Sequence, residues 1–568
     1  MLKTRFEGFI TENEFEYITK ELGREPNEFE MFLFSATYSE HCSYKHSREL
    51  LKLLPREGAI FYNENAGGIE IGEHAILFKM ESHNHPCAVE PFNGAATGIG
   101  GIIRDVLAMN ARPIALCNSL KFENCWVGKP NLCKTSHLSP LTSYLISSVI
   151  KGISEYGNCI GVPTVSTEVL FDDCFSENPL VNVAAIGLAK TSDILTSNTA
   201  KSGLKLILVG SATMRDGMGG AAFASKKLSD EKAEDKISIQ IANPFMKKKL
   251  IEACLEIFNK KLVVACQDCG AAGILSSTSE VAYKSGCGVE INLEKVHLGD
   301  KSIKDFEIML SETQERMLFV VKEEKIQEIS KILEKFELEY SIIGKTISEK
   351  RYIVKNNHEK KADLPTDLLV NPPKMELNFI PRPLGEREEF QNEERVLEIR
   401  VRGNESIING NCPEIYEQYD HTVGGRTQFQ PAMCTPPQPA PSRGEGVISD
   451  PQFNSLWIWE ENCFLGVYTF SAVIQQNPFD EVYEAILLAA KSLKEKGFRP
   501  AGITNCLNFA NPEIPPTMYE FRETILAMKK ACEELKIPVC SGNVSFYNES
   551  SFGRIKNTPS FTMLGLFK

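Results

Sequence analysis

The chain has 568 residues, of which 42% are hydrophobic and 24% charged, and this predicts a globular protein of roughly three or four domains. Its formal net charge of −13 argues against sequence-independent nucleic-acid binding, which needs clustered Lys and Arg to neutralise phosphates. No apolar run approaches the roughly 20 residues that span a bilayer, and the N-terminus lacks a signal-peptide core, so we expect a cytoplasmic protein with no membrane or nucleic-acid partner.

The N-terminal part of the chain concentrates groups that handle protons, metals and phosphates. Residues 1–50 are predicted to form a helical segment that carries Ser39-Glu40-His41-Cys42-Ser43-Tyr44. Farther along, Glu81-Ser82-His83-Asn84-His85-Pro86 stands between a strand-like run and the glycine-rich helix start Asn93 to Gly101, and Arg104-Asp105 follows. We interpret these motifs together as one wall of an active site.

An internal repeat organises the chain. The segment from Pro91 to Asn118 matches the segment from Pro478 to Asn505 in spacing and in its helix-then-strand pattern. Each copy continues into an amphipathic helix, the first from Leu141 to Tyr156, with apolar positions four residues apart. We therefore expect the same α/β unit, called A1 and A2, at 51–190 and 416–568.

A different α/β domain, called B1, is predicted between the copies at 195–350. A buried-strand run from Leu204 to Val209 opens it, and it contains Gln267-Asp268 and Ser311-Glu312-Thr313-Gln314-Glu315-Arg316-Met317. Residues 354–415 are polar and contain prolines, which predicts a partly irregular connector.

The seventeen cysteines are scattered singly along the chain. Its one C-x-x-C motif, Cys266-Gln267-Asp268-Cys269, has no second pair and no histidine at ligand spacing. We therefore expect reduced cysteines that act as small apolar fillers.

Six motifs in this order carry a family resemblance. They are Ser39 to Tyr44, Lys79 to Pro86, Arg104-Asp105, Gln267-Asp268, Glu312 to Met317 and Ser541-Gly542-Asn543-Val544-Ser545. Together they resemble the synthetase subunit of phosphoribosylformylglycinamidine synthase (FGAM synthetase) of the small bacterial type. The resemblance implies an α/β (α+β) fold in which repeated AIR-synthetase-like A domains form a pseudo-dimeric sheet or barrel core, with a B-type domain after the first repeat. We expect no counterpart of the usual fourth domain, B2, within these 568 residues.

The resemblance also implies a reaction, a ligase step of de novo purine biosynthesis. ATP, formylglycinamide ribonucleotide (FGAR) and ammonia would give the amidine FGAM, ADP and phosphate through a phosphorylated amide. Phosphoryl transfer depends on positioning and charge neutralisation, which calls for Mg²⁺ on oxygen ligands. No G-x-C-x-G glutaminase motif occurs, so a separate glutaminase subunit and a small bridging subunit are the expected partners.

Site residues follow by matching the family's motifs. The implied catalytic residues are His41 and His83, with His83 as proton acceptor. The implied ATP-binding residues are Tyr44, Lys79, Asn505 and Gly542. The implied magnesium ligands are Glu81, Asp105, Asp268 and Asn543. The implied FGAR-binding residues are Ser82, His83, Asn84, His85, Arg104, Gln240, Glu312, Thr313, Gln314 and Ser545, with Arg104 suited to phosphate by its planar donor fork.

Some positions depart from the family pattern. The family usually has glycine where Met214 stands, serine where Thr313 stands and a glycine pair where Ser166-Thr167 stands. We expect Met214 to crowd a backbone turn and Thr313 to keep its hydroxyl function. The proline-rich segment from Pro431 to Phe453 also fits the opening of the family's second repeat poorly.

Two alternatives to an active synthase remain. One is another ATP-using member of the superfamily, such as aminoimidazole ribonucleotide synthetase or a selenophosphate synthetase, although these carry one A–B unit and lack Ser82 to Pro86. The other is a non-catalytic remnant that acts as a structural or partner subunit. Without a fourth domain, the apolar residues Phe561, Met563, Leu564 and Phe567 are expected to be exposed or to be covered by something else.

Overall fold

The computed structural model describes residues 5–6, 8–61, 63–123, 140–220, 224–225, 238–375, 377–381, 427–428, 452–551 and 553–567. Across these ranges, no helix combines the length and hydropathy that a membrane span requires. The predicted start of the second repeat at 416 and most of the segment from Pro431 to Phe453 lie outside the described residues.

The N-terminal segment consists of short helices that pack on the middle domain. These helices are α1 (Glu12–Leu22), α2 (Glu28–Thr37), α3 (Glu40–Ser43) and α4 (Arg48–Leu51). Capping boxes at Thr11 and Asn27 start α1 and α2 by satisfying backbone N–H groups that lack helical acceptors. Ile18 and Phe34 are buried in the same apolar core as Leu206 of the middle domain. This packing fixes the position of α3, which carries His41.

The first repeat forms a five-stranded sheet of order β1-β2-β5-β3-β4. Its strands are β1 (Gly67–Ile71), β2 (His74–Ser82), β3 (Arg112–Phe122), β4 (Thr164–Phe171) and β5 (Leu180–Lys190). Its helices are α5 (Asn84–Val89), α6 (Pro91–Ala108) and α7 (Pro140–Ile160). Helix α6 packs on the sheet and on α7 through Ile99, Ile103 and Val106, which are fully buried. Strand β2 therefore ends, at Ser82, beside the first turns of α5 and α6.

The middle domain is a seven-stranded sheet of order β12-β11-β8-β10-β6-β9-β7. Its strands are β6 (Lys205–Gly210), β7 (Ala265–Asp268), β8 (Gly288–Asn292), β9 (Arg316–Val321), β10 (Tyr340–Ile347), β11 (Arg351–Asn356) and β12 (Glu359–Pro365). Its helices are α8 (Pro244–Asn259), α9 (Gly273–Ser285), α10 (Asp305–Leu310), α11 (Ile326–Lys335) and α12 (Thr366–Val370).

The predicted start of the connector is wrong for residues 354–370, because they form the end of β11, then β12 and α12. Along these strands Tyr352, Val354, Ala362 and Leu364 are buried, and they alternate with more exposed residues, which marks a half-buried hairpin. The many Lys and Glu residues of the solvent-facing side gave this hairpin the composition of a loop.

The second repeat forms a six-stranded sheet of order β13-β14-β15-β20-β16-β17. Its strands are β13 (Thr427–Gln428), β14 (Phe453–Ile458), β15 (Cys463–Ser471), β16 (Arg499–Asn508), β17 (Val539–Ser545) and β20 (Thr558–Phe567), with the small hairpin β18 (Glu549–Ser550) and β19 (Gly553–Arg554). Its helices are α13 (Pro478–Glu495) and α14 (Pro515–Leu535). The order β14-β15-β20-β16-β17 repeats β1-β2-β5-β3-β4, so the predicted α/β fold with repeated units is confirmed.

The two repeat sheets pack against each other. Ile76 and Phe78 of the first sheet share an apolar core with Leu465 and Leu564 of the second. Hydrogen bonds also cross between the sheets, since the Met80 N–H donates to Thr504 Oγ1 at 3.2 Å. Residues of β2 are thereby held beside β16 and β17 of the other repeat.

Of the two alternatives expected for the last strand, exposure is wrong and cover by another part of the protein is confirmed. Phe561, Met563 and Leu564 are fully buried, and Phe567 is partly buried. Phe561 and Met563 pack under α13 and α14, and Leu564 faces the sheet of the first repeat. Both faces of β20 are thus covered by parts of this chain.

One ion pair is buried where the sheets meet. Lys121 Nζ of β3 lies 2.7 Å from Glu168 Oε2 of β4, and it donates to Ser471 Oγ of the second repeat at 2.5 Å. Lys121 has no exposed surface and Glu168 is 4% exposed. Such a pair is stable only because each charge has a partner and further hydrogen bonds.

Candidate functional site

A cavity of about 710 Å³ opens where the two repeats, the middle domain and the N-terminal segment meet. Most of the residues implied by the family motifs line it. They are His41, Tyr44, Lys79, Glu81, Ser82, His83, Arg104, Asp105, Gln240, Asp268, Glu312, Gln314, Asn505, Gly542 and Asn543. Residues more than 400 positions apart in the sequence thus share one surface.

The ring of His83 is oriented by the start of α6. Its Nδ1 lies 3.0 Å from the carbonyl oxygen of Gly94, so Nδ1 is the donor and Nε2 carries the lone pair. Burial lowers the pKa of His83 to about 4, although the nearby Glu81 acts in the opposite direction. At neutral pH the imidazole is uncharged, and its basic nitrogen faces the space above Gly101.

A lysine and two acids form the floor of the cavity. Lys79 Nζ of β2 lies 2.9 Å from Asp105 Oδ2 of α6. Burial disfavours the charged lysine, but Asp105 and Glu81 outweigh it and raise the pKa of Lys79 well above its usual value. Burial raises the pKa of Asp105 well above its usual value, with Asp268 and Glu81 adding to this and Lys79 opposing it.

Arg104 begins a row of polar side chains that crosses from α6 to the middle domain. Its Nε lies 3.4 Å from Asp268 Oδ2, and its Nη1 donates to Gln314 Oε1. Gln314 in turn donates to Gln240 Oε1, and Gln240 Nε2 donates to Glu312 Oε2 at 2.8 Å. The guanidinium is almost fully buried, so this row holds it in one orientation.

The opposite wall comes from the second repeat and the N-terminal segment. Asn543 Nδ2 donates to the Tyr44 hydroxyl at 3.2 Å, and Asn543 Oδ1 accepts from Ser82 Oγ at 3.3 Å. Gly542 lies against the amide of Asn505, where an added Cβ would come within 2.6 Å. Only a glycine therefore leaves that amide accessible from the cavity.

The acidic residues of this cavity suit a magnesium ion that also binds a substrate phosphate. They are less suited to a metal ion that is held by protein ligands alone. Among the described residues, no group of three or more His, Cys, Asp and Glu side chains is arranged to hold a metal ion. Lys79 and Arg104 instead pair with Asp105 and Asp268. Mg²⁺ usually takes only one or two carboxylates and completes its shell with water and substrate phosphates, and the mutual repulsion of these buried acids favours a cation.

Four implied substrate residues lie outside the main cavity. Asn84, His85 and Ser545 border a smaller adjoining cavity, and Thr313 borders neither. Asn84 Nδ2 donates to Asn508 and Asn548 of the second repeat at 2.9 and 2.8 Å. Its amide thus joins the two repeats.

Thr313 and the departing position Met214 belong to one loop. Thr313 Oγ1 donates to Asp216 Oδ1 at 2.7 Å and accepts from the Met214 N–H at 3.0 Å. The hydroxyl is retained, as expected, but it supports this loop. Met214 is not among the residues with positive φ, so its backbone carries no left-handed strain, and its Sδ lies close against Gly299.

Sequence reasoning missed several residues at this site. Gln267, Glu280 and Arg56 line the cavity, and Tyr156, Glu315 and Lys247 are buried behind Arg104. A signal for Lys247 exists, because it shares a helix face with Leu250 and Cys254, three and seven residues later. A lysine within such an apolar stripe indicates a buried charge.

Comparison with protein families agrees with this architecture. The family described as "AIR synthase related protein, N-terminal domain" matches residues 63–189 and 465–567, and the corresponding C-terminal domain matches residues 201–356. The "Formylglycinamide ribonucleotide amidotransferase linker domain" matches residues 3–45.

Relatives and solved structures are similar over nearly the whole chain. The phosphoribosylformylglycinamidine synthase subunit PurL of Petrotoga mobilis is 42% identical over 98% of this chain and 74% of its own length. PurL of Thermotoga maritima complexed with FGAR superposes with a TM-score of 0.80 at 33% identity, covering 97% of this chain and 83% of that one.

Two further structures of the Thermotoga maritima protein are also similar. Its complex with ATP gives a TM-score of 0.75 at 32% identity, covering 97% of this chain and 82% of that one. The structure of PurLQS gives a TM-score of 0.78 at 32% identity, covering 98% of this chain and 83% of that one. From its sequence, fold and arrangement of site motifs, the chain belongs to the phosphoribosylformylglycinamidine synthase subunit PurL family.

Proposed function

We propose that this chain catalyses the ATP-dependent conversion of FGAR and ammonia to FGAM, ADP and phosphate. One observation carries the proposal, namely that both repeats and the middle domain contribute the implied residues to a single cavity. FGAR and ATP complexes of the Thermotoga maritima relative support the choice of substrates. The family matches support a division into an N-terminal segment at 1–50, A1 at 51–190, B1 from 195 and A2 ending at 568.

In the first step, the amide oxygen of FGAR attacks the γ-phosphorus of ATP. The new O–P bond forms as the bond to the β-phosphate oxygen breaks, and ADP leaves. Lys79, with its raised pKa, remains charged and is suited to the nucleotide phosphates. Arg104 and Gln314 are suited to the polar groups of FGAR, with Arg104 facing its phosphate.

In the second step, ammonia attacks the activated carbon. The C–O bond breaks and phosphate leaves with the electron pair, while the nitrogen gives up a proton to yield the amidine. His83 Nε2 is the group suited to accept this proton, because the ring is neutral and its Nδ1 is committed to Gly94. His41 lines the same cavity, and we propose it as the other active-site histidine.

Glu81, Asp105, Asp268 and Asn543 are the residues that would hold Mg²⁺. When bound, this ion supplies neutralisation of phosphate charge. These residues line the cavity from β2, α6, β7 and β17, and Lys79 contributes a positive charge there.

The ammonia source is proposed to be a separate glutaminase subunit, joined through a small bridging subunit. The chain has no glutaminase nucleophile motif, and the PurLQS structure of the relative supports an assembly of several subunits. We expect the purified chain to use ammonia but not glutamine, and glutamine use to appear only when the partner subunits are added.

The test is an assay of ADP release by the purified chain with ammonia, FGAR and Mg-ATP, with each component omitted in turn. We expect release that needs all of them, with FGAM as product by mass spectrometry. Binding of FGAR and ATP without any turnover would instead identify a non-catalytic subunit and contradict the proposed activity.

A further inference from the structure

Three buried polar side chains lie behind Arg104 without lining the cavity. Tyr156 comes from α7 of the first repeat, Lys247 from α8 and Glu315 from the segment just before β9. Tyr156 and Glu315 are each 1% exposed and Lys247 has no exposed surface. Burying such a polar cluster costs desolvation energy. Its position directly behind Arg104 therefore indicates a role at the site.

Short contacts connect the cluster to the helix that carries Arg104. The Tyr156 hydroxyl donates to Glu315 Oε1 at 2.6 Å, and Lys247 Nζ donates to the Gly100 carbonyl at 3.1 Å. A Cβ on Gly100 would lie 2.7 Å from the Tyr156 hydroxyl and 2.8 Å from Gln314 Oε1. The first repeat and the middle domain therefore meet at this point without spare space.

Charge connects the same groups. Among the carboxylates near Arg104, Asp268 raises the pKa of the guanidinium most and Glu315 next. Glu315 also acts to raise the pKa of Lys247. It directly follows Gln314, and it adopts a left-handed backbone conformation with φ of +59°. A residue other than glycine holds this conformation only where its surroundings compensate the strain, and the Tyr156 hydrogen bond supplies part of that compensation.

We propose that Tyr156, Glu315 and Lys247 are positioning residues that hold Arg104 and Gln314 in the orientation that binds FGAR. The proposal rests on the function proposed above. The cluster acts from the middle domain and the first repeat, whereas the nucleotide residues Asn505 and Gly542 belong to the second repeat, and Lys79 pairs with Asp105 rather than with the cluster. Its loss should therefore affect FGAR and leave the nucleotide site intact.

The test uses Tyr156→Phe, which removes one oxygen atom and leaves the ring in place. The matched control is Tyr352→Phe, because Tyr352 is also fully buried and its hydroxyl lies 2.7 Å from Thr278 Oγ1 in the core of the middle domain. Both variants lose one buried hydrogen bond, so weaker FGAR binding that came only from a general loss of stability should appear in both.

We expect Tyr156→Phe to raise the KM for FGAR about tenfold, as loss of one hydrogen bond near a charged pair would do, while kcat changes less than about twofold. Calorimetry should show weaker FGAR binding with unchanged Mg-ATP binding, and Tyr352→Phe should match the parent. An equal FGAR affinity in Tyr156→Phe and Tyr352→Phe would overturn the positioning role alone. Failure of the parent chain to bind FGAR would overturn both this inference and the proposed function.

Glu315 provides a second variant. Glu315→Gln keeps an acceptor for the Tyr156 hydroxyl but removes the charge beside Arg104, whereas Glu315→Ala removes both. We expect the parent chain to bind FGAR most tightly, Glu315→Gln less tightly and Glu315→Ala least tightly. Equal affinities in all three would contradict the role of Glu315.

Discussion

The Nδ1 atom of His83 lies 3.0 Å from the carbonyl oxygen of Gly94. A carbonyl oxygen can only accept, so this contact selects the tautomer with a basic Nε2. Because burial also holds the pKa of His83 down to about 4, the ring stays neutral at physiological pH and its Nε2 keeps an unprotonated lone pair.

The first prediction concerns this base. His83→Asn should lower ammonia-dependent turnover by roughly a hundredfold or more, the usual effect of losing a general base. The Asn amide can still donate to Gly94, so Mg-ATP affinity should be kept. The matched control is His358→Asn on an exposed turn, where φ is +69° and Asn is well tolerated. Equal turnover in the two variants would remove His83 from the mechanism.

The second prediction separates stability from binding at Gly101. A Cβ there would lie 3.9–4.0 Å from Glu81 Oε2, Arg104 Nη2 and His83 Nε2, which is ordinary contact and does not disturb the fold. Gly101→Ala should therefore stabilise α6 by up to about 1 kcal/mol through helix propensity. Since the methyl group enters the space between three functional groups, FGAR affinity should fall. Thermal unfolding and calorimetry would measure both effects, and unchanged FGAR affinity would contradict this view of the cavity.

The third prediction concerns the buried pair of Lys121 and Glu168. Lys121→Met leaves Glu168 as an unpaired buried charge and should destabilise the chain by about 3–5 kcal/mol. The double variant Lys121→Met/Glu168→Gln should recover much of this loss. Urea unfolding measures the stability. Mg-ATP binding should not change in either variant, and an equal stability of the parent and Lys121→Met would show that the pair contributes nothing.

The fourth prediction follows from Lys247. Burial, followed by the like charge of Arg104, lowers its pKa from 10.5 to about 7, with Glu315 and Asp268 opposing. Between pH 7 and about 10.5 the unfolded chain therefore binds more protons at this residue than the folded chain, and stability should rise with pH over that window. Below pH 7 both states are protonated and the cost of burying the charge is constant.

Lys247→Met removes this titration. The difference in Tm, parent minus variant, should increase from pH 7 to pH 10 and stay level from pH 6 to pH 7. Lys284→Met is a control for loss of a lysine, since Lys284 is not fully buried and pairs with Glu280 at 3.2 Å on the same helix. A constant Tm difference at all pH values would show that Lys247 is charged in the folded chain up to pH 10.

Local motifs allowed much of the site to be predicted from the sequence. Glu81 and Ser82 end the strand that the run from Ala75 to Met80 predicts, His83 follows it, and Arg104 and Asp105 lie on α6. The repeat also predicts that Asn505 occupies the strand position of Asn118. The motifs are local and the repeat is periodic, so a single sequence contains both, while the roles of these residues are what the family resemblance implies.

What could not be predicted depends on contacts between distant segments. Tyr156, Lys247 and Glu315 meet only because α7, α8 and the start of β9 pack together, and no spacing rule links them. The burial of Phe561 follows from helices of its own repeat that cover the sheet. The β11–β12 hairpin was missed because its charged residues hide a period-two pattern.

The register of the two repeat sheets has a consequence for how the halves can change. In the second repeat Asn505 pairs with Gly542 and Cys506 with Asn543, and at the same places in the first repeat Asn118 pairs with Thr167 and Ser119 with Glu168. A homodimer would present every substitution twice, once at each of two identical interfaces. Here the two halves are encoded separately in one chain, so a substitution can change one interface without changing the other. One interface can then carry the chemistry while the other only holds the two repeats together, as the buried pair of Lys121 and Glu168 does.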